Sequence, residues 1–160
     1  MFQKRLETHS PRETQAVAQA IGARCTGGEV VLLVGTLGSG KTCFAQGLAD
    51  GLGVTGYVHS PTFVLATEHA GRLRLRHVDL YRIDGPEETL DLGLAEFGAD
   101  DLVGMVEWAD RAPEAYPAEH LTVNLMDMGA NRRSLTLNAN GEHHEALIKT
   151  LDLVGSGKSV

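Results

Sequence analysis

The sequence has no long apolar run. Its longest aliphatic stretch is Val30-Val31-Leu32-Leu33-Val34, far short of the roughly 20 residues that span a bilayer. The opening ten residues, MFQKRLETHS, hold no apolar segment of the kind a secretory leader carries. Neither a membrane span nor a leader is expected. Cysteine is scarce, with only Cys25 and Cys43. Two thiols cannot build a disulfide framework, and a reducing cytoplasm is the expected compartment. Basic residues are outnumbered, 14 Lys plus Arg against 21 Asp plus Glu, giving a formal charge of −7. Such a chain is a poor primary surface for nucleic acid, because neutralising phosphates requires a basic face.

What is present fits one ordinary domain. The 160 residues are 42% apolar and 22% charged, which suits a single core. No repeat or linker divides them, so residues 1–154 are expected to form one domain and 155–160 a flexible tail. Charge is uneven. Residues 1–80 carry 8 basic and 6 acidic side chains, residues 81–160 carry 6 and 15, and residues 84–119 hold 11 of the acids with Arg111 as the sole base. That acidic stretch reads as a solvated face or a docking surface. Glycine is abundant, 19 of 160, against a usual level of about 7%.

Patterning predicts the elements. Ser10, Pro11 and Glu13 form a helix start with N-cap, first-turn proline and capping-box glutamate. Ala16, Val17, Ala20 and Ile21 continue the helix until Gly27-Gly28. Residues 29–34 are a continuous β-branched and leucine run, expected to be a strand buried on both faces. A loop follows at 35–40, then a helix over 41–52 closed by Gly53. Strands are expected at 62–68 and 72–80 around a turn at His69-Ala70-Gly71, with a short acidic helix after Gly85-Pro86. A strongly apolar strand follows over 102–108. Residues 118–128 and 132–139 read as a hairpin about Gly129-Ala130-Asn131, and 143–153 as a final helix. This alternation predicts an α/β fold: one domain like the P-loop NTPases, with a mostly parallel central sheet, some antiparallel strands and helices on both faces.

The chemistry concentrates in Gly35-Thr36-Leu37-Gly38-Ser39-Gly40-Lys41-Thr42, which matches the Walker A pattern G-x-x-x-x-G-K-[ST]. Glycines let successive backbone N–H groups converge on a polyphosphate, and the following helix aims its positive end at the same anion. Lys41 is placed to reach the β- and γ-phosphates, and the Thr42 hydroxyl to ligate Mg²⁺. Gly35, Leu37, Gly38, Ser39, Gly40, Lys41, Thr42 and Cys43 are therefore the expected nucleotide-contacting positions, with simple packing as the alternative for Cys43. The C-terminal Gly155-Ser156-Gly157-Lys158-Ser159 imitates the motif, but Asp152 replaces its first glycine and no helix can follow.

A phosphate loop needs acids for metal and water. Glu107 ends the apolar run Leu102-Val103-Gly104-Met105-Val106 in a Walker B-like place, with Glu for Asp. Asp79 ends His77-Val78-Asp79. Both lie where ligands of open α/β sheets bind, although an acid at a strand end also serves as a cap or a solvated group. Thr62, in Ser60-Pro61-Thr62, is either a γ-phosphate sensor or part of a plain turn. Trp108 reads as core or as a nucleotide contact.

The ordered set of phosphate loop, Ser60-Pro61-Thr62-Phe63, His77-Val78-Asp79-Leu80-Tyr81-Arg82, Glu88, Gly93-Leu94-Ala95-Glu96 and Val106-Glu107-Trp108 resembles the TsaE (YjeE) family, the ATPase of bacterial tRNA threonylcarbamoyladenosine synthesis. The resemblance covers roughly residues 10–125. It implies slow Mg²⁺-dependent ATP hydrolysis that resets a complex with the TsaB and TsaD subunits, which themselves modify the adenosine beside the anticodon. By the same resemblance Lys41, Asp79 and Glu107 are catalytic and Thr42 and Glu107 serve the metal. Ser60, Pro61 and Thr62 form a switch loop, and Pro11 to Thr14 lie near the adenine.

Rival readings remain. A small-metabolite kinase needs an arginine-rich lid, yet the only cluster is Arg72-Leu73-Arg74-Leu75-Arg76, whose period of two puts three arginines on one strand face. That face reads as solvated or as a contact with RNA or an acidic protein. A GTPase lacks its N-K-x-D element here. A non-hydrolysing nucleotide-dependent adaptor is the third class. No arginine finger is evident in cis; Arg82 is the nearest candidate.

Overall fold

A computed structural model of the chain describes residues 1–36, 39–56, 66–83, 87, 89, 92–149 and 151. Leu37, Gly38, Ser60, Pro61, Thr62 and Glu88 lie outside the described residues, as do 152–160.

Seven strands form one sheet: β1 (Phe2–Thr8), β2 (Val30–Val34), β3 (Ala66–His69), β4 (Arg74–Asp79), β5 (Leu102–Glu107), β6 (Leu121–Gly129) and β7 (Arg132–Ala139). Their spatial order is β1-β7-β6-β2-β5-β4-β3. The middle four, β6-β2-β5-β4, are parallel, and both margins are antiparallel. This is the mostly parallel α/β sheet that the alternating pattern predicts. Strand β2 buries both faces as its composition demands: Val31 and Leu33 enter one core cluster, Val30 and Leu32 the other.

The first cluster takes in α1 (Pro11–Arg24), α2 (Lys41–Gly51) and α3 (Glu142–Lys149). On the opposite face, the second cluster is covered by short 3₁₀ turns at Leu94–Glu96 and Ala109–Arg111. The acidic helix expected after Gly85-Pro86 lies largely outside the described residues, and the 3₁₀ turn at Leu94–Glu96 comes after it. The opening residue of that turn follows Gly93, which is left-handed at φ 74°.

Helices α1 and α2 pack backbone to backbone. A Cβ on Gly47 would lie 2.2 Å from the Gln15 carbonyl oxygen, one on Gly51 2.3 Å from that of Gln19, and one on Gly22 2.4 Å from that of Leu48. Three glycines are thus spent on close approach, which accounts for part of the glycine excess. The ends of both helices share one cap. Arg72 donates from Nη1 to the Cys25 carbonyl and from Nη2 to those of Gly22 and Gly51, satisfying acceptors a helix end leaves open. Helix α1 begins on Ser10, whose Oγ accepts from the Glu13 N–H at 3.1 Å. Glu13 does not close the expected box onto Ser10. Its Oε1 accepts from the His9 N–H instead, at 2.9 Å.

Two further departures stand out. Strand β1 is invisible to the hydrophobic pattern, because it is an edge strand whose inward positions Phe2, Lys4, Leu6 and Thr8 include only two apolar residues. The arginine stripe is paired within the fold and not evenly arrayed: Arg72 precedes β4, Arg74 is partly exposed and Arg76 is largely covered. Arg74 pairs with Glu68 and Asp101, and Arg76 with Glu68, Glu96 and the Gly93 carbonyl. These pairs staple β3 and the 93–101 segment to β4, leaving little charge for an outside partner.

Candidate nucleotide site

The site lies at the C-terminal ends of β2, β4 and β5. Parallel register aligns Leu33 with Glu107 and Glu107 with Asp79. Side chains alternate across a strand, so His77, Asp79 and Glu107 project from the face that carries Leu75, Val103 and Met105, under the helices. There the phosphate loop turns from β2 into α2.

Among the described loop residues, Gly35 and Gly40 have physical reasons to be glycine. A Cβ on Gly35 would sit 2.5 Å from Ser39 Oγ and 2.8 Å from the Leu125 carbonyl oxygen. Gly40 adopts φ 104°, a left-handed conformation, at the N-cap of α2. Ser39 is fully buried, and its Oγ has no hydrogen-bond partner among the described residues. The N-terminus of α1 abuts this turn, with Thr14 Cγ2 3.8 Å from where a Gly40 Cβ would be. Thr14 is therefore beside the loop.

Lys41 is 9% exposed, and its ammonium lies 3.9 Å from Glu107 Oε1 and 4.7 Å from the centroid of the Trp108 ring. Glu107 is buried, and its other oxygen lies 2.6 Å from Nε2 of the fully buried His77. A carboxylate only accepts, so the His77 Nε2–H donates. His77 Nδ1 has no partner among the described residues. Asp79 is half-buried. Burial, together with the neighbouring Glu107 charge, pushes its carboxyl above the ordinary carboxylate range, against the opposing hydrogen bond from the Tyr81 N–H at 2.9 Å.

Trp108 follows Glu107 in a left-handed conformation, φ 56° and ψ 40°, uncommon for a bulky residue. That turn brings the indole beside Lys41 and against Tyr81, 4.9 Å between ring centroids. Arg111 lies over both rings, at 5.4 Å from Tyr81 and 5.9 Å from Trp108. Arg82 is exposed, whereas Arg111 lies against the site's aromatic wall. A cavity of about 320 Å³ opens between Leu33, Val34, Gly35, Thr36, Lys41, Trp108 and Asp110.

The fold thus gathers Gly35, Ser39, Gly40, Lys41, Asp79, Glu107 and Trp108 at one place. Thr42 is exposed at the first turn of α2, and Cys43 beside it is half-buried. Leu37, Gly38 and Thr62 lie outside the described residues. His77, Arg111 and Arg133 were not singled out by sequence. His77 lay in plain view in the His77-Val78-Asp79 strand, where period two puts it on the face of Asp79.

Such a site fits a polyphosphate and its cation by three tests. A Cβ would fill the turn at Gly35, a buried Ser39 hydroxyl stands unpartnered beside it, and the donor set comprises one ammonium, one free hydroxyl and a carboxylate. Among the described residues no helix is long and apolar enough to cross a membrane.

Comparison with known proteins agrees with the geometry. Residues 8–135 match the family described as "Threonylcarbamoyl adenosine biosynthesis protein TsaE". The tRNA threonylcarbamoyladenosine biosynthesis protein TsaE of Bacillus subtilis is 40% identical over 152 residues, covering 94% of this chain and 95% of the relative. The TsaE of Treponema pallidum is 35% identical over 133 residues, 83% of this chain and 98% of that one. The crystal structure of Bacillus subtilis YdiB superposes with a TM-score of 0.78 at 35% identity, covering 94% of each chain. The chain belongs to the TsaE family.

Proposed function

We propose that this protein binds ATP with Mg²⁺ at the phosphate loop and hydrolyses it, in the service of threonylcarbamoylation of the adenosine beside the anticodon of tRNA. Partners resembling TsaB and TsaD carry out the transfer, and ATP turnover cycles the complex. The carrying observation is the meeting of Lys41 with Glu107, 66 positions apart, under the buried end of the sheet at 3.9 Å. The family's role supplies the pathway, and the site supplies the chemistry.

In this reading the loop N–H groups and Lys41 hold the phosphates. Thr42 and Glu107 hold the cation, which neutralises charge on the phosphate oxygens when bound. Lys41 leaves Glu107 for the phosphates as nucleotide enters, and His77 keeps the carboxylate aimed after the ammonium departs. Asp79, whose carboxyl burial and the neighbouring Glu107 charge hold above the ordinary range, takes the proton of the attacking water. Catalysis rests on positioning and charge, not covalent intermediates. The net negative charge is compatible with tRNA work done through partners, since the RNA need not touch this chain.

The test combines three measurements. ATP hydrolysis is followed for the protein alone and with the partner pair, for Lys41→Ala and Glu107→Ala, and threonylcarbamoyladenosine in tRNA is quantified after depletion. Stimulated turnover, lost in both variants while their unfolding midpoints stay normal, supports the proposal. Undiminished turnover in either folded variant removes that residue's role. Unchanged tRNA modification after depletion removes the pathway.

A further inference from the structure

Arg133 is the second residue of β7, past the last of the quoted motifs at Trp108 but inside the matched stretch 8–135. Its guanidinium crosses to the phosphate loop, where Nε–H donates to the Ser39 carbonyl oxygen at 3.0 Å. A second atom is anchored behind it: Nη1–H donates to Asp127 Oδ1 at 3.0 Å and to the Arg132 carbonyl at 3.1 Å. The same Asp127 oxygen accepts from the Gly129 N–H at 2.9 Å. The side chain is 17% exposed.

The hairpin is built to deliver this arginine. Register between β6 and β7 shifts between Asp127 and Gly129, so that Asp127 faces Arg133 while Gly129 faces Arg132. Bulges of this kind re-aim side chains beside functional sites. The loop between the strands, Ala130 and Asn131, is left-handed at both positions, as a two-residue turn of the favoured hand requires.

Peptide geometry gives the contact its meaning. The Ser39 carbonyl belongs to the same planar trans unit as the Gly40 N–H, and the two point in opposite directions. Holding the oxygen toward Arg133 therefore aims the Gly40 N–H the other way. Gly40 is free of a Cβ and already left-handed, so the Ser39–Gly40 peptide has little steric barrier against flipping. We propose that Arg133, braced by Asp127, is a positioning residue that locks the Ser39–Gly40 peptide in its anion-binding orientation. This rests on the proposed nucleotide site and assigns the clamp to the final hairpin.

The experiment compares wild type, Arg133→Gln and Arg133→Lys in ADP binding by calorimetry, in steady-state ATP hydrolysis and in urea unfolding. Loss of a charge-assisted hydrogen bond predicts roughly tenfold weaker ADP binding and a matching rise in KM for Arg133→Gln. The expected change in kcat is less than about twofold, because the interaction is the same in ground and transition states. Arg133→Lys retains charge without the fork that spans Ser39 and Asp127, and falls between. Should Arg133→Gln fail to fold, the lysine variant makes the same comparison. ADP affinity equal to wild type in a folded variant overturns the proposal. So does a loss confined to kcat, which would put Arg133 at the reacting atoms. A wild-type protein that binds neither ADP nor ATP overturns the nucleotide site itself, and this clamp with it.

Discussion

His77 Nε2 lies 2.6 Å from Glu107 Oε2, and both side chains are sealed from solvent. One face of β4 and β5 thus carries a carboxylate with Oε2 on His77 and Oε1 toward Lys41. Removing the histidine frees the carboxylate to rotate. His77→Ala is expected to lower ATP turnover by about 10–100-fold, the usual cost of losing a partner behind a metal-binding group. His77→Gln, which keeps a donor, is expected to retain more activity. Steady-state kinetics on folded variants checks this, and wild-type turnover in His77→Ala would refute the positioning role.

The single tryptophan offers a direct reporter. Lys41 rests over Trp108 at 4.7 Å in a cation–π contact, worth roughly 0.5–2 kcal/mol. If nucleotide draws the ammonium to its phosphates, the indole loses that charge and its emission changes. Titration with ADP is expected to shift Trp108 fluorescence saturably, and Lys41→Met to abolish the response. An unaltered spectrum at saturating ADP would show that the lysine stays where it is.

Close packing of α1 on α2 makes a counterintuitive stability prediction. Alanine is the better helix former than glycine by about 1 kcal/mol, so Gly47→Ala and Gly51→Ala should stabilise an isolated α2. In the fold the new methyl would meet backbone oxygen at 2.2 and 2.3 Å. Overpacking at this level costs roughly 1–3 kcal/mol or more. Each variant is therefore expected to lose about 1–2 kcal/mol in urea unfolding. A rise in the midpoint would mean the helices sit farther apart.

How much of this was readable in advance follows from what each residue has to do. The phosphate loop, β2 and β5 were legible because their chemistry and their burial are local properties of consecutive residues. The hairpin was legible from Gly129 and Asn131. Strand β1 was not, since an edge strand needs few apolar residues and its partner lies more than a hundred positions away, Phe2 opposite Ala139. The arginine stripe misled for a similar reason: its acids Glu68, Glu96 and Asp101 come from separate segments. Arg133 carries no motif. Its contact with Ser39 exists only once β7 has joined the sheet.

The C-terminal helix should report on pH. His144 Nε2 accepts from the Val30 N–H at 3.1 Å, which requires the neutral ring. Burial first, then the nearby His143 and His120, hold its pKa below the ordinary 6.5, against the pull of Glu29 and Glu119. Glu29 stays ionised despite its burial, through N–H groups of Thr26 and Gly27 and the neighbouring His143. With His144 depressed, the unfolded chain binds the extra proton first. The stabilisation is complete above 6.5 and declines as pH falls from there toward the folded value. The urea midpoint is expected to drop between about pH 7.5 and pH 5.5, with a shallower drop in His144→Gln. Identical pH slopes in the two proteins would remove His144 as the source.

The edge position of β1 has a consequence for how the protein is made. Among the described residues β1 pairs with β7, at the other end of the strand sequence, and β7 also brings the arginine that grips the Ser39 carbonyl. A nascent chain displays its entire phosphate signature by residue 42, yet at that stage it lacks both the partner for β1 and the brace for the loop. The brace for the loop is therefore in place only once β7 has joined the sheet. Such long-range closure is entropically slow to form, and it ties the phosphate motif to a side chain 94 positions further along the chain.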